Sequence, residues 1–255
     1  MPVIRDSLKH RLNALLASRG FRVHRVPRPL NDRPEAWLRL SLELLAPYAL
    51  AGCDPVYFVQ IGANDGDMSD PISRLVREHG WRGALVEPQP EVFKALQQNY
   101  DGVGGLTFVN AAVDHRPGKR VLYTVAPDAS LPEYVSGLAS FNKNVILSHR
   151  TRAPGVEGFI REVEVECVTI DDVVARSALP RVDVLQIDVE GFDAEVLRMV
   201  DFGRMRPRLV SYEWKHLSRA DYDDAAALLV RNGYQLAVAG ADMLAVAGDL
   251  RACRR

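Results

Sequence analysis

Cysteine is scarce. Cys53, Cys167 and Cys253 are the only three in 255 residues, widely spaced and without a CxxC pair. An odd, scattered set argues against a disulfide framework and a zinc ribbon. An excess of one charge is also lacking. Thirty-two Lys and Arg stand against 33 Asp and Glu, a net charge of −1, so no global field draws the chain to nucleic acid or another polyanion. No apolar run approaches the length of a bilayer span and the N-terminus lacks a signal-peptide core, so the expected compartment is the cytosol. What is present is an ordinary globular composition, 47% hydrophobic and 25% charged. The length suits one α/β domain with a modest extension.

Residues 1–50 read as a helical, basic N-terminal extension. Arg5, Lys9, Arg11, Arg19, Arg22, Arg25, Arg28 and Arg33 face only Asp6 and Asp32 across residues 1–33. Ile4, Leu8, Leu12, Leu15 and Leu16 recur at helical spacing, which predicts an amphipathic helix over 4–18. It serves either as a packed helix with solvated arginines or as a weak contact to an anionic membrane surface or partner. A second helix is expected over 35–50.

Residues 51–255 alternate strands with helices, which predicts a doubly wound, mostly parallel sheet with right-handed crossovers. The strands expected are Val56–Ile61, Gly83–Val86, Leu106–Val113, Val182–Ile187 and Leu209–Trp214. A terminal hairpin, Tyr234–Ala239 and Met243–Val246, adds an antiparallel edge. Asp70-Pro71 reads as a helix cap followed by proline at the first helical position. Residues 114–168 are too long for a simple crossover and read either as a substrate-side insertion or as a decorative extension of the sheet.

The densest motif is Val59-Gln-Ile-Gly-Ala-Asn-Asp-Gly-Asp-Met-Ser69. A buried strand runs into Gly62 and Gly66, where glycine lets the backbone turn sharply and approach a ligand. Glu87 closes the next strand 25 positions after Gly62, where a carboxylate accepts hydrogen bonds from ribose hydroxyls. A dinucleotide wants a second glycine two positions after Gly62, but Asn64 stands there. No tyrosine is followed four positions later by lysine, the familiar pair for hydride transfer. S-adenosylmethionine, with a carboxylate, a ribose diol, an adenine and no phosphate, fits better.

The chain resembles the FkbM family of S-adenosylmethionine-dependent O-methyltransferases. The matching pieces are Ile61-Gly-Ala-Asn-Asp-Gly66, Val86-Glu-Pro88, Asn110-Ala-Ala-Val113, Thr169-Ile-Asp-Asp172 and Ile187-Asp-Val-Glu-Gly191, followed by Glu195, Val196 and Leu197. The resemblance implies a class I methyltransferase (Rossmann-like) fold, with a seven-stranded sheet and an antiparallel edge strand. It also implies methylation of a hydroxyl on a sugar, glycan, glycolipid or natural product. Gly62, Asn64 and Gly66 would hold the methionine end, Glu87 the ribose, and Asn110 with Ala111 would lie near the adenine; Ser69 is a further cofactor-binding candidate. Asp188 would sit beside the reacting methyl. Gln186 stands where many members carry lysine.

A sugar hydroxyl is a poor nucleophile at neutral pH, so some group must take its proton. His216, just past the fifth main strand, is the best placed general base, if it is not a surface histidine packed beside Trp214. Asp188, Glu190 and Glu213 share that edge. Asp188 would orient substrate or cofactor and Glu213 would orient His216; two or three of them would otherwise bind Mg²⁺, a less favoured reading, or simply cap a helix. Tyr212, Trp214 and Phe141 are aromatic candidates for an acceptor pocket. Two other classes stay open: an NAD-dependent oxidoreductase, and a non-catalytic partner that keeps the cofactor pocket.

Overall fold

Apolar, β-rich segments form the central strands of the main sheet, which are buried on both faces. The computed structural model describes residues 40–68 and 70–248. The amphipathic helix expected over 4–18, residues 35–39 and Ser69 lie outside the described residues. The elements in order are α1 (Leu42–Ala49), β1 (Tyr57–Ile61), α2 (Ser73–His79), β2 (Arg82–Val86), α3 (Pro90–Asn99) and β3 (Leu106–Val109). They continue with β4 (Ala112–Val113), β5 (Gly118–Val125), β6 (Ala139–Ser140), α4 (Lys143–Ser148), β7 (Ile160–Val168) and α5 (Ile170–Ser177). The last are β8 (Val184–Ile187), α6 (Asp193–Met199), β9 (Leu209–Glu213), α7 (Arg219–Arg231), β10 (Tyr234–Ala239) and β11 (Asp242–Ala247).

The main sheet has seven strands in the order β10-β11-β9-β8-β1-β2-β3. All neighbours are parallel except at one edge, where β11 runs antiparallel to both β9 and β10. Period-two alternation sends side chains to two helical layers. Val59, Ile61, Leu185 and Ile187 pack with Ile170 and Val173 of α5, Val196 and Leu197 of α6, and Leu229 of α7. Phe58, Leu85 and Val184 pack on the other face with Leu42 of α1, Leu75 of α2 and Leu96 of α3. Burying a side chain of this size contributes about 1.5–3 kcal/mol. The sheet is therefore a rigid base for the loops at its carboxyl edge.

Several expectations need correction. The helix expected over 35–50 begins, among the described residues, at Leu42, with Ser41 accepting from the Leu44 N–H. Asp70 does not cap a helix. Its carboxylate turns inward and accepts from Gln60 Nε2 (3.0 Å), the Ile72 N–H (2.8 Å) and the Tyr100 hydroxyl (3.1 Å), so α2 starts only at Ser73. The third main strand stops at Val109, because Asn110 leaves the ladder and its Nδ2 donates to the carbonyls of Glu87 (2.8 Å) and Pro88 (3.2 Å). Ala112–Val113 instead joins a second sheet, β4-β7-β5-β6, built mostly from residues 114–168. Thr169 and Asp172 form a reciprocal capping box that starts α5, a helix not foreseen. Cys53 is disulfide-bonded, against the expectation from scattered cysteines, while Cys167 is a buried free thiol.

Candidate active site

Parallel strands present their carboxyl ends together, and the loops after β1, β2, β8 and β9 meet there. After β1 the chain turns at Gly62 with φ +80°. A Cβ at Gly62 would lie 1.8 Å from the carbonyl oxygen of Asp188, so the β1 and β8 loops touch only because this residue is glycine. Gly66 serves similarly, since a Cβ there would meet the Tyr100 ring at 2.5 Å. The N–H groups of Gly62 and Ala63 both donate to Val86 O, locking the loop to the end of β2.

Glu87 is buried at the end of β2, and its carboxylate accepts from the Asn64 N–H (3.1 Å) and the Gln89 N–H (2.9 Å). Burial pushes its pKa up to about 7, against the pull of those two donors. The glycine loop and the expected ribose carboxylate are therefore one hydrogen-bonded unit. Asn110 braces the backbone of that unit, while Ala111 lines the cleft itself.

The cleft opens about 660 Å³. Val86, Pro88, Ala111, Val113, Leu122 and Phe141 give it an apolar wall; Gly62, Asn64, Glu87, Asp188 and Glu190 give it a polar one. Among the described residues, three carboxylates and no Lys or Arg line it. That donor set fits S-adenosylmethionine, with an apolar slot for a base, a carboxylate for a diol, and negative charge toward a sulfonium and an ammonium. It disfavours a pyrophosphate, and hence NAD. Gly62, Asn64 and Glu87 would hold the cofactor, and Phe141 lines this same cleft. Its ring lies edge-on to Phe192 at 5.2 Å, with the Arg120 guanidinium 3.7 Å above it.

A second cavity of about 1020 Å³ adjoins the first and shares Gly62, Asn64, Gly137, Asp188 and Glu190 with it. Its further lining is polar and includes Gln60, Asp70, Tyr134, His149, Arg152, Gln186, Glu213, Lys215 and Asp242. Gln60 and Gln186 are register partners on β1 and β8, and each keeps a buried Oε1 without a partner. Tyr134, Gly137, His149 and Arg152 come from the 114–168 segment. Sequence reasoning missed these, together with Gln60, Asp70 and Lys215. The available signal was two glutamines at strand positions where the core pattern asks for apolar residues.

Asp188 stands at the junction of the two cavities. Its side chain is open to water within the cleft, yet protein crowds around it. That crowding, then the charges of Glu213, Asp193 and Glu190, raises its pKa well above the ordinary carboxylate value. Asp193 is fully buried and accepts from the N–H groups of Glu213 (3.1 Å) and Gly191 (3.3 Å), tying the β8 and β9 loops together. Burial and the Glu213 charge push its pKa up to about 8.

His216 is not a surface residue. Its side chain is 12% exposed, its ring faces His149 at 5.3 Å, and Trp214 stacks instead against Tyr222. His216 lies behind Glu190, with Nε2 at 3.0 Å from Glu190 Oε2 and 3.7 Å from Glu213 Oε2. Glu190, rather than Glu213, is thus its near neighbour. Glu213 pairs with Lys215, whose Nζ is 2.5 Å from Oε1. Burial works against ionised Glu190, but His216, Lys215 and His149 outweigh it and hold its pKa below the ordinary value. Tyr212 is fully buried in the core and lines neither cavity.

A family model described as the methyltransferase FkbM domain matches residues 60–236. No curated protein sequence matches the chain significantly. Among solved structures, precorrin-6y C5,15-methyltransferase from Geobacter metallireducens is 15% identical at a TM-score of 0.42, covering 80% of this chain and 87% of that one. The ribosomal protein L11 methylase from Lactobacillus delbrueckii subsp. bulgaricus is 9% identical at 0.38, covering 80% and 76%. The human methyltransferase 10 domain containing protein is 11% identical at 0.40, covering 96% and 98%.

Proposed function

The chain belongs to the FkbM methyltransferase family, and from that premise we propose that it transfers a methyl group from S-adenosylmethionine to a hydroxyl of a sugar, glycan, glycolipid or related natural product. The family and the sheet order place the fold in class I of the S-adenosylmethionine-dependent methyltransferases. The observation that carries the acceptor reading is the second cavity. Amide, carboxylate, phenol, imidazole and cationic groups line it, and it shares Asp188 with the cofactor cleft. A polyhydroxylated acceptor satisfies such walls, whereas a flat apolar acceptor would leave them unpaired.

Bound S-adenosylmethionine supplies an electrophilic sulfonium methyl. The chain supplies position and proton acceptance. Gly62, Asn64 and Glu87 fix the cofactor, and the aromatic pair Phe141 and Phe192 shields the apolar end from water. Gln60, Gln186 and Asp70 hold acceptor hydroxyls in the second cavity. Asp188 receives the proton of the attacking hydroxyl at its carboxylate. His216 acts from behind, through Glu190, and Glu213 with Lys215 closes the ring of charge. Holding the two reactants in line is the larger share of the work; proton acceptance typically contributes about 10²–10⁴-fold.

The test is mass spectrometry of candidate glycans and glycolipids incubated with the protein and methyl-labelled cofactor. The expected product gains one labelled methyl as an ether. Label appearing only on nitrogen or carbon would replace this acceptor class.

A further inference from the structure

The proton-acceptance scheme uses His216 through Glu190 but leaves its neighbour, His149, unexplained. His149, in the turn after α4, is 6% exposed, and among the described residues neither of its ring nitrogens has a hydrogen-bond partner. His216 Nε2 and Glu190 Oε2, also buried, lie 3.0 Å from each other and have no well-aligned hydrogen bond among the described residues. Leaving a buried polar atom unpaired costs about 1–3 kcal/mol, so the two bare ring nitrogens of His149, set beside the His216–Glu190 pair, demand a reason. The ligand atoms of His149, Glu190 and His216 all lie within 4.8 Å of one another. We infer that His149, Glu190 and His216 form a binding site for a divalent first-row transition-metal ion at the edge of the acceptor cavity.

The donor set defines the class of ion. Two imidazole nitrogens and one carboxylate oxygen suit Zn²⁺, Co²⁺, Fe²⁺ or Mn²⁺, while Mg²⁺ prefers an all-oxygen shell. The local charge agrees. Among the described residues lining this part of the cavity, three carboxylates, Asp188, Glu190 and Glu213, face two cations, Arg152 and Lys215, of which Lys215 is paired with Glu213. The scaffold is also set in advance. Glu190 sits at φ +49°, a left-handed conformation that costs a non-glycine residue energy and persists where surroundings enforce it. Ser140 Oγ donates to the Glu190 carbonyl at 2.7 Å, and Tyr134 packs its ring 5.8 Å from that of His149. His149 and Glu190 both line the acceptor cavity, so open coordination positions face an incoming hydroxyl.

This site goes beyond the methyl-transfer reading and is tested without cofactor or acceptor, so either can fail alone. The full chain is stripped with a chelator and titrated by calorimetry with Zn²⁺, Co²⁺ and Mg²⁺. One Zn²⁺ or Co²⁺ per chain is expected, with visible Co²⁺ absorption bands and binding at least tenfold tighter than for Mg²⁺. His149→Ala and Glu190→Gln should each weaken Zn²⁺ at least tenfold; in His149→Ala, whose side chain lines the second cavity and not the cofactor cleft, S-adenosylhomocysteine affinity should stay the same, which certifies the fold. Should His149→Ala unfold, His149→Gln and the wild-type Co²⁺ spectrum decide. Absent stoichiometric binding, Mg²⁺ preference, or Zn²⁺ affinity indifferent to both His149 variants would overturn the assignment. The last two results would place an ion on Asp188, Glu190 and Glu213 instead.

Discussion

The two cavities that meet at Asp188 are built on opposite plans. The cofactor cleft is made of backbone, small residues and apolar walls, with one buried carboxylate clamped by the loop it faces. The second cavity is made of long polar side chains, including some from β1, β8, β9 and the 114–168 segment. The first is preorganised by main-chain hydrogen bonds and close glycine contacts, so its shape is bound to the sheet. The second is set by side chains whose identities can change without moving a strand. A fold that keeps one cofactor and varies its acceptor would divide labour in this way.

The largest expected effect falls on the wall the cavities share. Asp188→Asn should lower kcat by about 10²–10⁴-fold, the usual weight of a general base, with S-adenosylhomocysteine affinity nearly unchanged by calorimetry. A loss of affinity with no loss of kcat would move Asp188 wholly into the cofactor cleft and break the division. Gly62→Ala should act on the cleft alone, and through the fold. A Cβ 1.8 Å from a carbonyl oxygen, at φ +80°, forces the β1 and β8 loops apart. The expected loss is about 3 kcal/mol of unfolding free energy, read by urea denaturation. Wild-type stability in this variant would mean that the loops part freely.

The same contrast explains what the amino-acid order disclosed. The Gly62–Gly66 turn and Glu87 were legible because each is a strand end with a local signature, and the structure joins them by one hydrogen bond from Asn64. The sheet was legible from alternation and continuous apolar runs. The Asp70 cap was misread because tertiary partners, Gln60 and Tyr100, outbid the helix for its carboxylate. The overlong third strand was misread because Asn110 binds the β2 end instead of continuing the ladder. His149, Tyr134 and Arg152 were invisible because convergence across the sheet leaves no trace in spacing. His216 was visible as a histidine at the right edge, but its place behind Glu190 was not.

Glu87 allows a sharper cut at the cofactor side. Glu87→Ala removes the acceptor for a ribose diol and also frees the Asn64 and Gln89 N–H groups. S-adenosylhomocysteine should bind about 1.5–3 kcal/mol more weakly, the range for hydrogen bonds to a charged group. Acceptor KM should change much less, if the two cavities are as separate as their construction suggests. A larger loss in acceptor KM than in cofactor affinity would show that the loop carries both sites.

The smallest expected effect comes from protons on that carboxylate. Burial pushes the folded-state pKa of Glu87 up to about 7, above its ordinary 4.5. Between those values the folded chain holds a proton that the unfolded chain has released. The stability this proton confers is therefore complete below about pH 4.5 and is lost as pH rises through 7. The slope is no steeper than about 1.4 kcal/mol per pH unit for one group. Cofactor affinity should run the other way, because the ionised carboxylate accepts hydrogen bonds from both ribose hydroxyls and the protonated acid offers fewer acceptor sites. From pH 6 to 8 the ionised fraction rises about tenfold around a pKa near 7, which bounds the gain in S-adenosylhomocysteine affinity at about tenfold. Glu87→Gln should flatten both trends together. Parallel trends in the wild type, or opposite trends surviving in Glu87→Gln, would assign the titration to another group and detach the carboxylate from the ribose.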